Sequence, residues 1–147
     1  MSNRPEKAVV EVGEKRYLMT QKEYSSTVTM SELDAKGEET GRYMSYNEDY
    51  WGHPVYVIGK KKSGELDGAV YTFSVDPDKP NDLHLSQVEV EGKIIDSSDP
   101  GFKAYQKTAP KLPKAIETFS KAKGKMNAAF DNIQAKFSRL NNNLFGL

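Results

Sequence analysis

Residues 112–144 read LPKAIETFSKAKGKMNAAFDNIQAKFSRLNNNL. Large apolar residues recur at Leu112, Ile116, Phe119, Met126, Phe130, Ile133, Phe137, Leu140 and Leu144. The steps are threes and fours, apart from one gap of seven in which Lys123 holds the missing rung. This spacing gathers the apolar side chains on one face of an α-helix. In heptad terms Leu112, Phe119, Met126, Ile133 and Leu140 take the a positions, and Ile116, Lys123, Phe130, Phe137 and Leu144 the d positions. Such a stripe has to be buried against something. As one rod it would be about 48 Å long, more than a domain of this size is wide.

Two questions about the stretch stay open in the sequence. Gly124 costs a helix about 1 kcal/mol relative to alanine, and Lys123-Gly124-Lys125 also suits a turn with Gly124 as a left-handed helix end, which makes a helical hairpin. The cover of the stripe is the second question. It is either the chain's own sheet or another protein surface. Three phenylalanines are bulky for a two-stranded coiled coil, and the flanking positions carry few complementary charges.

The remaining chain limits the choices. At 147 residues it predicts one domain with a helical appendage. Its formal net charge is zero, but residues 1–102 hold 12 basic and 19 acidic side chains while residues 103–147 hold 9 and 2. An acidic body that receives a basic helix, its own or a neighbour's, explains the split. A basic helix aimed at phosphate, acidic lipid or an acidic partner also explains it. The acidic body speaks against nucleic acid and against an anionic membrane surface. There is no cysteine, which excludes disulfides, thiol chemistry and cysteine-based zinc sites. The first residues lack the apolar core of a signal peptide, and no run approaches the roughly 20 apolar residues of a membrane span, so a cytoplasmic location is expected.

From the N-terminus the sequence predicts short strands divided by local turns. Ala8–Val12 and Lys15–Thr20 flank a turn at Gly13-Glu14. Tyr24–Met30 alternates Tyr24, Ser26, Val28 and Met30 against Ser25, Thr27 and Thr29. Ser31–Gly41 reads as an exposed acidic loop and Arg42–Tyr46 as a strand, followed by an aromatic loop over 47–54. Val55–Gly59 is β-forming, and Lys60–Gly64 is a basic turn. Ala69–Val75 is a strand, and Asp76–Asp82 is a loop stiffened by two prolines. In Leu83–Val90, Leu83 and Leu85 oppose His84 and Ser86, then Val88 and Val90 oppose Glu89. Gly92 turns the chain into Lys93–Ile95. Ser97-Ser98-Asp99-Pro100 announces a short helix, with Asp99 as cap, that ends near Thr108 before Pro110 and Pro113. The expected fold is α+β: an antiparallel β meander over 7–96, forming a curled sheet or small partial barrel, then a C-terminal amphipathic helical region over 100–145.

Sites are sparse. Tyr46, Tyr50, Trp51 and His53, beside Glu48 and Asp49, form the best candidate. Aromatics with a carboxylate suit a sugar or flat ligand, or a protein interface. The plainer reading has Trp51 plugging an open end of the sheet. Asp76, Asp78 and Asp82 lack the glycine and terminal glutamate of a calcium loop. His53 and His84 have no third metal ligand to join them. Lys60–Lys62 reads as a solubilising tip. No serine-nucleophile signature, phosphate loop or nucleotide fingerprint is present, and no cofactor is implied. The sequence therefore points away from an enzyme. It points to a structural or adaptor subunit that joins another copy or a protein partner through Phe119, Met126, Phe130, Ile133, Phe137 and Leu140. A β domain that binds a small ligand or carbohydrate with the aromatic loop is the alternative.

Overall fold

Antiparallel pairing of sequential strands builds this chain, as the turn spacing predicts. The computed structural model describes residues 7–22, 25–62, 65, 66 and 68–144, and only the backbone of 61, 62, 65, 66 and 133–144. Among the described residues nine strands form one sheet: β1 (Lys7–Val12), β2 (Lys15–Gln21), β3 (Val28–Leu33), β4 (Glu39–Glu48), β5 (Pro54–Lys62), β6 (Glu65–Leu66), β7 (Ala69–Asp76), β8 (Lys79–Val90) and β9 (Lys93–Asp96). Eight follow one path, β1-β2-β3-β4-β5-β7-β8-β9, while β6 pairs with the end of β5. The sheet does not close. Helices α1 (Phe102–Thr108) and α2 (Leu112–Leu144) follow.

Register places apolar residues in rows across one face. Ala8, Met19, Met30, Met44, Ile58, Tyr71, Val88 and Ile95 are successive cross-strand partners. Val28, Tyr46, Tyr56, Phe73 and Leu85 form the next row. Side chains opposite one another in a sheet touch, so each row is a continuous apolar strip. The parity change in β8 is a bulge: Thr72 faces Gln87 but Phe73 faces Leu85, and the Ser86 hydroxyl donates to the Thr72 carbonyl at 3.1 Å. The extra residue keeps Leu85 and Val88 on one face despite their odd separation.

Helix α2 covers these rows and runs unbroken through Gly124 for 33 residues, so the segment is no hairpin. Leu112, Phe119, Ala122, Met126 and Phe130 are buried in the same core as Met19, Met30, Met44 and Val88. The Phe119 ring meets Tyr46 and Tyr56 at 6.4 and 6.1 Å. Near β1 the Lys125 ammonium donates to the Glu11 carbonyl. Flexible methionines fill the irregular space between a twisted sheet and a straight rod.

Several boundaries differ from those the sequence suggests. Strand β3 runs on to Leu33 and β4 begins at Glu39, which leaves only Asp34–Glu38 as the connection. Tyr24 lies outside the described residues. Asp76 pairs with Lys79, so Asp76–Asp82 is a tight turn followed by strand rather than a loop. Lys60–Lys62 belong to β5. Asp99 does not cap α1. Its carboxylate turns back to accept from the Asp96 amide at 3.0 Å, and Gly101 takes the cap position.

Candidate functional site

The aromatic loop is a hairpin closure built by one carboxylate. Asp49 Oδ1 accepts from the amides of Trp51 and His53 at 2.9 and 2.8 Å. The Gly52 amide donates to the Asp49 carbonyl and the Asp49 amide to the His53 carbonyl. Gly52 has φ +79°, a left-handed conformation that a side chain would strain. Residues Asp34–Glu38 repeat this arrangement. Asp34 Oδ1 accepts from Lys36 and Glu38, and Gly37 has φ +83°. Both loops read Asp-x-x-Gly-x, which is turn chemistry rather than a site signature.

What sets the second loop apart is its side chains. Tyr50 and Trp51 are 94% and 62% exposed, and their rings meet edge to face at 5.6 Å. Trp51 therefore plugs nothing. Tyr46 stands apart, inside β4 and facing α2, 5.3 Å from Tyr56. His53 is half-buried, with Nδ1 3.6 Å from Asp49 Oδ2. Tyr46 thus lies on the covered face of the sheet and Tyr50 and Trp51 at an exposed tip, with His53 half-buried beside Asp49.

A second place emerges only in three dimensions. A cleft of about 200 Å³ lies between the sheet and the start of α2, lined by Met30, Met44, Ile58, Pro110, Ala115 and Thr118. Glu32, Arg42 and Tyr17 form its polar end. Glu32 takes a hydrogen bond from Lys15 at 2.9 Å and one from Thr40 at 3.0 Å. Burial pushes the Glu32 carboxyl up. The bonds from Lys15 and Thr40, with the charges of Lys15 and Arg42, outweigh it and hold the group below its ordinary value. Burial raises the Tyr17 phenol. One cation, Arg42, and one carboxylate, Glu32, over an apolar floor suit a small ligand with a polar end. The strand reading missed Glu32 because it placed Ser31–Gly41 in a loop. Its even spacing from Val28 and Met30 was the available signal.

Among the described residues, no three His, Asp or Glu side chains are grouped to hold a metal ion. No helix among them is long and apolar enough to cross a membrane. No family model, curated protein or solved structure compared with the chain matches it.

Of the proposed contact residues on α2, Phe119, Met126 and Phe130 are buried in the chain's own core. The side chains of Ile133, Phe137 and Leu140 lie outside the described residues.

Proposed function

We propose that this protein is a non-enzymatic structural or adaptor subunit that assembles with another copy or a protein partner through the C-terminal part of α2. One observation carries the reading: α2 continues as unbroken helix from Asp131 to Leu144, past Phe130, with the apolar spacing kept at Ile133, Phe137, Leu140 and Leu144. At about 1.5 Å per residue the whole helix spans about 48 Å. Strands β1 to β4, of six to ten residues, span about 20–33 Å at about 3.3 Å per residue. The helix is longer than these strands, and an apolar stripe that continues past the buried Phe130 calls for a cover.

The test compares two substitutions in the full chain. Phe137→Asp should abolish association in light scattering and leave the melting temperature of the folded subunit unchanged. Phe130→Asp should unfold the subunit, because it places a charge in the core. A Phe137→Asp variant that assembles like the parent would refute the proposal.

A further inference from the structure

The outer edge of β1 is unpaired among the described residues, and its geometry favours a second copy of itself. Gly13 and Glu14 form a two-residue hairpin loop, with Val12 opposite Lys15. Gly13 has φ +64°. In a two-residue hairpin the flanking pair exchanges both backbone hydrogen bonds, and such pairs recur at every second residue. Val12, Val10 and Ala8 with its partner Met19 therefore form the bonded pairs with β2. Lys7, Val9 and Glu11 turn their N–H and C=O groups away from β2. The Lys125 ammonium on the Glu11 carbonyl agrees with this, since it reaches that carbonyl from outside the hairpin.

We infer that two copies join edge to edge through antiparallel β1 strands, with a two-fold axis at Val9. This deepens the assembly reading above and rests on it only for the idea that copies meet. In this register Val9 faces Val9 of the second copy, and Lys7 faces Glu11 of the second copy on both sides of the axis. All three outward-facing residues then exchange backbone bonds, the Glu11 carbonyl taking the Lys7 amide of the second copy beside or in place of the Lys125 ammonium. Neighbouring registers, centred on Ala8 or Val10, lose the Lys7–Glu11 match. Val9, 59% exposed, becomes covered, and the exposed Lys7 and Glu11 side chains become opposite-charge cross-strand pairs. Along this edge the Lys125 ammonium meets one carbonyl, that of Glu11, and an edge strand is a template for pairing. The other edge is blunted: β9 has four residues, and its last amide, Asp96, is already held by Asp99.

The experiment is sedimentation equilibrium of the full chain and its variants. Val9→Pro deletes an outward amide and no bond to β2, so it should give a folded monomer. Lys7→Glu sets like charges opposite each other twice and should weaken the dimer about tenfold. Adding Glu11→Lys to Lys7→Glu should restore the dimer, and circular dichroism confirms folding, since Glu11 also faces Arg16 within the chain. Rescue by the charge swap is the decisive result, because a merely structural role for Lys7 would not produce it. A monomeric parent, a dimer indifferent to both Val9→Pro and Lys7→Glu, or failed rescue by a folded double variant overturns the inference. Phe137→Asp separates the two proposals. If it dissociates a complex that Val9→Pro leaves intact, the helix reading stands and the edge pairing falls. The reverse pattern sinks the helix reading alone.

Discussion

The Lys123 ammonium stands 5.3 Å from the centre of the Tyr46 ring. Lys123 holds the rung where the apolar stripe of α2 is broken, and this contact explains why the break is tolerated. The aromatic face supplies an electrostatic partner for the charge. Lys123→Ala should cost about 0.5–1 kcal/mol in urea unfolding, with Tyr46→Phe costing less because the ring remains. A double-mutant cycle of Lys123→Ala and Tyr46→Ala with no coupling would rule the contact out as a source of stability.

Two glycines should respond oppositely to alanine. A Cβ on Gly59 would lie 2.9 Å from Val70 Cγ2 and 3.1 Å from the Tyr43 hydroxyl oxygen. Gly59→Ala should therefore destabilise by about 1–3 kcal/mol. Gly124 meets nothing within 4 Å and sits in regular helix. Gly124→Ala should stabilise by about 1 kcal/mol. Thermal melts of the two variants check both signs.

Phe130 is 1% exposed and packs in the core that α2 shares with the sheet. Phe130→Ala should lose about 3–5 kcal/mol of unfolding free energy. A loss below about 1 kcal/mol would mean that the end of the core is not packed as described.

Glu32 makes stability depend on acid. Its folded value is depressed, so the folded chain holds this proton less tightly than the unfolded chain. The contribution is complete above the unfolded value, near 4.5, and is lost as pH falls through the folded value. Glu32→Gln should lower the melting temperature at neutral pH, and the gap from the parent should close on acidification. A gap that widens below pH 4.5 would contradict the sign.

Asp49 and Trp51 should separate turn from tip. Asp49→Ala removes the acceptor for two amides and should cost about 1–3 kcal/mol. Trp51→Ala should change stability by no more than about 0.5 kcal/mol. Parent fluorescence should show the red-shifted emission of an indole in water, and a blue-shifted spectrum would place Trp51 under a cover.

Most strands were legible because alternation and turn residues are local signals. Gly13-Glu14 and Glu91-Gly92 mark two-residue hairpins, and Glu91 even takes a left-handed φ of 52°. Glu32 looked like loop because carboxylates are poor strand formers, yet Lys15 and Thr40 satisfy it from neighbouring strands. The aromatics of the Trp51 loop were legible, and the Asp-x-x-Gly frame it shares with Asp34–Gly37 was a local message of turn chemistry.

By itself the sequence determined that a stripe on residues 112–144 must be covered and that alternating strands precede it. Helical and strand periods are properties of neighbouring residues, and they survive without knowledge of the rest. Only the tertiary structure decided that Phe119, Met126 and Phe130 are covered by rows of methionines and tyrosines from the chain's own strands. Hydrophobic burial has no direction of its own, so periodicity shows that a face needs a partner, and the packing of the whole chain selects which one.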